Sequence, residues 1–250
     1  MNPSSTRENL RRLLEHDRIW NAYAIADLDP VHDECTDWFL HESSVLLRYR
    51  GLQPDLIFAS GDPTIIETLF SKLPPCGYQY ALKEEVLDAV LQQFSVDGSI
   101  PMWRMVLKSD PPTIIMPDEV QALSIEDLPN IVCLMADYED HPDSFMPAQL
   151  ESGLFFGVYE SEELISMAGI HVYSEISNVA AVGNVFTHPE HRGEGFGTLT
   201  SAAVTTRLLA QGVRTIVLNV SKENEPAIRS YSKIGFEPHC PYLEGTGHIH

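Results

Sequence analysis

Residues 185–200 read VFTHPEHRGEGFGTLT. Gly193, Gly195 and Gly197 stand at every second position behind Arg192, between a stretch that reads as a strand and one that reads as a helix. The first turn of a helix carries unpaired N–H groups and a partial positive charge. Glycines ahead of it let the backbone approach a ligand with no Cβ in the way. Strand, glycine turn and helix start together make an anion cradle whose donors are amides. The chain's formal net charge is −20, and such a cradle needs no field of lysines.

Two common phosphate loops are excluded. A P-loop requires GxxxxGK[ST], and no lysine or serine stands in that place. A Rossmann fingerprint requires GxGxxG; counted from Gly193 or Gly195, its last glycine falls on Thr198 or Thr200. No acidic residue ends the following strand to take a ribose. The segment Arg192-Gly193-Glu194-Gly195-Phe196-Gly197 does satisfy R/Q-x-x-G-x-G/A. Downstream, NEPAIRSYSKIGFE (residues 224–237) places Asn224, Ala227, Tyr231, Gly235 and Phe236 on N-x-x-A-x-x-x-Y-x-x-x-G-F. These two segments, in this order, resemble the GNAT acetyltransferase superfamily over roughly residues 118–245.

The resemblance implies an acyl-CoA-dependent N-acyltransferase, with acetyl-CoA as co-substrate and a primary amine as acceptor, on a small molecule or at a peptide N-terminus or lysine. It implies that backbone N–H groups from Gly193 to Thr198, Phe196 included, hold the CoA pyrophosphate. Arg192 would brace the loop and offer phosphate a charge-assisted bond. Val185, Phe186 and Thr187 match the place where the family's strands splay, so that pantetheine pairs there with backbone and an amide polarises the thioester. Tyr231 matches the residue that protonates the leaving thiolate, and Asn224 a position on the cofactor side of the cleft. Lys222, Arg229 and Lys233 are candidates for the 3′-phosphate. The family's usual strand glutamate is missing, since Asn184 is the only polar residue before Thr187. The base is then His171, His188, a carboxylate from residues 137–143, or water.

Each residue also has a plainer reading. Tyr231 lies on a core-facing stripe and would pack with its hydroxyl on backbone. Arg192 would be a solvated surface charge, the glycines turn punctuation, and Asn224 a helix N-cap. A non-catalytic CoA-binding or regulatory module is the alternative to an enzyme. A structural protein is a third, and it would bind no CoA.

Composition bounds the class of protein. At 250 residues and 44% apolar content, the chain can build one large domain or two ordinary ones. Residues 1–117 carry 10 basic against 17 acidic side chains, and residues 118–250 carry 6 against 19. No basic stripe for nucleic acid is visible, and the charge favours solubility and, more weakly, cationic substrates. No apolar run suffices to span a bilayer. The N-terminal stretch lacks a signal-peptide core and reads as a short amphipathic helix. Cys35, Cys76, Cys133 and Cys240 form no CxxC pair, which suits reduced thiols in a cytoplasm. His239, Cys240, His248 and His250 fit no zinc spacing, so no metal is expected.

A proline-rich connector at residues 108–119 divides an N-terminal α/β domain (1–115) from the GNAT-like domain (118–250). The expected class is α/β (α+β): a mixed, mostly antiparallel sheet flanked by helices. Strands are expected at 44–50, 55–60, 78–82 and 102–108, with helices at 62–73 and 83–94. In the second half, strands are expected at 120–123, 153–160, 164–173, 178–187 and 214–220. Helices follow at 124–138, 197–211 (Leu199, Ala202, Ala203 and Leu209 inward) and 225–236. Residues 240–245 read as a last strand with a frayed end. The order strand, strand, helix, strand, helix, strand at 44–108 parallels 164–243, so the first half reads as a degenerate, smaller GNAT-like copy. Asp62 stands at its loop position, where it would repel a pyrophosphate. Tandem chains of this kind also resemble the glycine-acyltransferase-like branch.

Overall fold

A computed structural model of the chain describes residues 3–108, 119–136 and 145–250, with side chains from residue 6. The expected connector at 108–119 and the carboxylates of 137–143 lie outside the described residues, Lys108 and Glu119 apart. In chain order the elements are α1 (Pro3–Leu14), α2 (Ala22–Ala26), β1 (Thr36–His41), β2 (Ser44–Tyr49), β3 (Leu56–Ser60), α3 (Pro63–Phe70), β4 (Gly77–Leu82), α4 (Glu84–Val90) and β5 (Phe94–Leu107). There follow β6 (Val120–Ala122), α5 (Leu128–Ala136), β7 (Phe156–Glu160), β8 (Glu163–Ser174), β9 (Val179–Thr187), α6 (Phe196–Ala210), β10 (Thr215–Ser221), α7 (Glu225–Ile234) and β11 (Phe236–Ile249). They form two compact units. One is Met1–Arg104 with Ser221–Glu223 and Pro238–His250; the other is Met105–Val220 with Asn224–Glu237.

In the first unit the strand order is β1-β2-β3-β4-β11-β5. β3 and β4 are parallel around the crossover helix α3, while β1–β2, β2–β3 and β4–β11 are antiparallel. Ile66, Leu69 and Phe70 of α3 and Val86 and Val90 of α4 are buried in one cluster with the sheet residues Leu46, Ile57, Tyr78 and Tyr80. A second feature is Arg104, only 1% exposed. Its guanidinium lies over the rings of Tyr23 (4.4 Å), Trp20 (5.4 Å) and Tyr242 (5.6 Å). Cation–π attraction replaces hydrogen bonds at Nε and Nη1, which have none.

In the second unit the order is β10-β9-β8-β7-β6. β9 and β10 are parallel around α6, and the remaining pairs are antiparallel. The mixed, mostly antiparallel sheets with helices agree with the expected class. The capping box at Ser124 forms: Asp127 Oδ2 accepts from Ser124 N at 2.8 Å, and Ser124 Oγ accepts from Glu126 N at 3.2 Å. Behind it Ile131, Leu134 and Met135 are buried, as their spacing predicts.

Several elements differ from the sequence reading. β1 had no sequence signal, because its two-residue hairpin turn puts Glu42 at φ 49°, where Asn or Gly is the usual marker. The helix expected over 83–94 ends at Val90. Phe94 opens β5 instead, its ring edge-on to Phe70 and Tyr80, so core packing overrides the helical period. The inner face of α6 is only partly the one expected, since Ala202 and Ala203 are buried but the two leucines are not fully so. Leu199 and Leu209 are half-buried, while Thr200, Ser201, Val204, Thr205 and Leu208 are buried with Ala202 and Ala203. Thr200 and Thr205 tolerate this by donating to the carbonyls of Phe196 (3.1 Å) and Ser201 (2.8 Å) one turn back. The tail is not frayed. β11 runs to Ile249 and pairs with β4 from Leu243↔Leu82 to His248↔Gly77.

Candidate active site

β9 decides the geometry. Its parallel ladder with β10 runs from Val179↔Thr215 to Val182↔Leu218 and stops, although both strands continue. Past that point β9 keeps its other neighbour: Phe186 pairs with Met167 and Thr187 with Ser166 on β8. A strand edge without a ladder partner is a gap in the pairing, of the kind that an extended ligand can fill as a further strand. His188 N donates to Ile165 O at 2.8 Å, and Ser166 Oγ donates to Phe186 O at 3.0 Å. Peptide groups alternate in direction along a strand, so Phe186 and His188 address β8, whereas Val185 and Thr187 address the gap. Ser166, fully buried, also meets Thr187 Oγ1 at 2.9 Å and anchors the strand end. Nothing in the motifs pointed to it, since one serine among apolar strand residues reads as ordinary alternation.

Beyond Thr187 the chain makes a 3-10 turn, Pro189–His191, capped by His188 Nδ1 accepting from Glu190 N at 3.3 Å. Gly193 (φ 88°) and Gly195 (φ 95°) then adopt left-handed backbone, and a Cβ added at either would meet nothing within 4 Å. They are glycines for their dihedrals and not for want of room. Gly197 differs: a Cβ there would lie 3.3 Å from Thr187 Oγ1 and 3.9 Å from Val185 Cγ1. Its bareness lets the start of α6 close on the strand end. Arg192 is exposed and donates through Nε to Thr187 O at 3.3 Å.

The start of α6 has Gly195 as N-cap and no side-chain cap. Thr198 N and Leu199 N both turn back to Gly195 O, at 3.0 and 3.1 Å. The donor set at the cradle is therefore narrower than the sequence suggests and leaves out Thr198 N. Glu194 stands in the exposed loop, its carboxylate 3.4 Å from His191 Nδ1, while Glu160 lies 3.6 Å from Nε2 of the same ring. The His191 ring also packs edge-on to Phe196 at 6.2 Å.

α7 follows β10. Asn224 Oδ1 accepts from Ala227 N at 3.1 Å, which is the bond of an N-cap. Tyr231 is 9% exposed, with its ring edge-on to Phe236 at 6.3 Å. Burial pushes its pKa up to about 12. The expected basic residues scatter: Arg229 pairs with Glu225 at 3.0 Å, Lys233 is exposed in the last turn of α7, and Lys222 stacks over Trp103 at 4.6 Å. The tail histidines are apart in function, His239 on Asp17 and His248 on Asp97. Among the described residues no group of three or more His, Cys, Asp or Glu is placed to hold a metal ion, and no helix is long and apolar enough to cross a membrane.

Residues 121–236 match the family model described as Acetyltransferase (GNAT) family. An uncharacterized N-acetyltransferase, YobR, of Bacillus subtilis is 34% identical over 84 residues, covering 34% of this chain and 33% of that protein. A mycothiol acetyltransferase of Rhodococcus jostii is 24% identical over 173 residues, covering 60% and 57%. The chain thus spans between a third and somewhat over half the length of these curated relatives. Among solved structures, a GNAT-family protein of Novosphingobium aromaticivorans superposes with TM-score 0.65 at 22% identity, covering 93% of this chain and 96% of that one. A Drosophila protein superposes with TM-score 0.71 at 13% identity, covering 98% and 96%. At such identities the likeness concerns the fold.

Proposed function

Residues 121–236 belong to the Acetyltransferase (GNAT) family, and from that premise we propose that the protein transfers an acetyl group from acetyl-CoA to a primary amine by direct attack in a ternary complex. The observation that carries this reading is a contrast between two helix starts. In the first unit, Asp62 caps α3 by accepting from Thr64 N (2.9 Å) and Ile65 N (3.3 Å). In the second, α6 begins at a glycine with no side-chain cap, on an exposed loop. A helix start left bare costs about 1 kcal/mol against a capped one, and a bound diphosphate would offset that cost.

In this reading the loop amides from Gly193 to Gly197 hold the diphosphate, and Arg192, already on Thr187 O, adds charge beside it. Backbone at Val185 and Thr187 takes the pantetheine arm, and a peptide N–H there polarises the thioester carbonyl. The amine nitrogen bonds to the carbonyl carbon, the C–S bond breaks, and the amine's proton passes to a base or water. Tyr231 keeps its own proton at neutral pH and presents it to the leaving sulfur. An ordinary thiol has a pKa of about 8.5, so an acid as weak as this tyrosine acts mainly through the hydrogen bond it donates. No acyl-enzyme is required, since neither motif holds a cysteine.

The N-terminal half reads as the degenerate copy. Its β2-β3-α3-β4-α4-β5 order matches β8-β9-α6-β10-α7-β11, parallel pair and crossover helix included. Its capped helix leaves no cradle. On this reading residues 1–115 and 118–250 are the two halves, and only the second binds cofactor.

The test is thiol release from acetyl-CoA with a panel of amines, amino acids and peptides, beside a thermal shift with CoA. Turnover with one amine class and a CoA-dependent shift are expected. A shift without thiol release across the panel would leave a binding module, and no shift would remove the reading altogether.

A further inference from the structure

The bulge that parts β9 from β10 is held by side chains. Asn184 sits at φ 51° and neither it nor Val185 has a register partner on β8, where pairing jumps from Phe186↔Met167 to Gly183↔Gly169. A bulge leaves ladder groups unpaired, and two of them are accounted for. Asn184 N donates to His171 Nε2 at 3.2 Å, and Asn184 Nδ2 donates to Ile170 O at 2.8 Å. The imidazole and the carboxamide thus stand in for the two strands' own peptide groups. Gly183 makes the arrangement possible, because a Cβ there would come within 2.2 Å of the His171 ring. Asn184 is buried, at 3% exposure, with Oδ1 unpartnered. The bulge is therefore kept at some cost.

We infer that His171 is a positioning residue for acyl-CoA: its ring acceptor pins the Asn184 peptide, and the pinned bulge keeps the backbone at Val185 and Thr187 facing the gap that takes the pantetheine arm. The geometry argues against His171 as general base, since the lone pair on Nε2 already receives the Asn184 N–H. It also explains why this chain carries Gly-Asn where β9 parts from β10. Asn tolerates left-handed backbone better than other non-glycine residues, and its side chain donates to Ile170 O.

This inference rests on the acetyl-CoA reading, and the experiment separates the two. Calorimetric CoA binding by the unmodified protein tests that reading alone. His171→Leu removes the acceptor and leaves the Asn184 N–H unpaired. Its CoA Kd should rise by about tenfold or more, and the Asn184 amide should exchange faster with solvent in the absence of CoA. His171→Gln brings a carbonyl oxygen to about the place of Nε2 and should recover most of both. Should the leucine variant fail to fold, Gly183→Ala displaces the ring directly and should weaken CoA binding and Asn184 protection alike. Unchanged Asn184 exchange in the leucine or alanine variant overturns the inference, whether or not CoA binds. So does a loss of kcat in both the leucine and glutamine variants with CoA affinity intact, which is the signature of a base.

Discussion

Tyr231 holds its proton because burial leaves a phenolate nothing to solvate it, with the pKa at about 12. Tyr231→Phe keeps the ring against Phe236 and removes only the hydroxyl. We expect kcat to fall by about 10²-fold while CoA Kd stays within about twofold, read by thiol release and calorimetry. A parallel loss of affinity would mean that the residue serves packing. Asp27 is another buried titratable group, its pKa raised from 3.8 to about 7 by burial and then by the charge of Asp29. The folded state therefore holds this proton more tightly than the unfolded chain does. The stabilisation is full below about pH 4 and is lost as pH rises toward 7, amounting to at most ~4 kcal/mol at 1.36 kcal/mol per unit. Asp27→Asn should flatten the stability profile between pH 4 and 7 and raise the Tm at pH 8; a profile unchanged from the parent would mean that Asp27 is ionised in the fold. Motif spacing made Gly193, Gly195 and Gly197 legible, because each answers a local demand of dihedral or close approach. Asp27, Arg104 and Ser166 were not legible. What sets their roles is burial by distant segments, which leaves no mark on neighbouring residues.

Among the elements, α3 and α6 give a controlled pair. Both follow a strand and lead into its parallel partner, but only α3 is closed by a carboxylate. Asp62→Ala should cost about 1 kcal/mol and lower the Tm by about 2–4 °C, with CoA affinity unaffected. Gly195→Ala meets no neighbour and carries only the strain of φ 95°, about 1–2 kcal/mol. Because the cradle would relax to relieve part of it, CoA Kd should rise by at least about tenfold while the Tm falls by no more than about 2–4 °C. Equal effects of the two substitutions on CoA would contradict the assignment of α6 as the cofactor helix. Most elements could be read in advance where a cap or period was strong, as at Asp62-Pro63, Ser124 and Pro226. The misreadings have two origins. The early end of α4 and the polar inner face of α6 are fixed by tertiary packing against a local preference that pointed elsewhere, whereas the hairpin of β1 turns on Glu42, which is not a turn marker.

At the scale of the molecule, the sequence announces two halves but not which segments build each unit. β11 reaches the sheet of the first unit by pairing Leu243–His248 with Gly77–Leu82, and pairing across the length of a chain has no local signature. The charge is the whole-molecule property that was plain from the start. At −20 the protein's field opposes a polyanion such as CoA and attracts a cationic amine. The proposed cradle grips with peptide dipoles, whose bonds depend weakly on salt, so the dominant salt effect on CoA is the screening of repulsion. Raising ionic strength from about 0.01 to 0.15 M shortens the screening length from about 30 to 8 Å. Over that range the KM for acetyl-CoA should fall by severalfold, and the KM for a cationic acceptor should rise. A site built on lysine and arginine contacts predicts the reverse for CoA, with affinity dropping steeply as salt competes for the phosphates. The sign of the salt dependence, measured by calorimetry for CoA alone, therefore distinguishes an amide cradle from a cationic one without any knowledge of the acceptor.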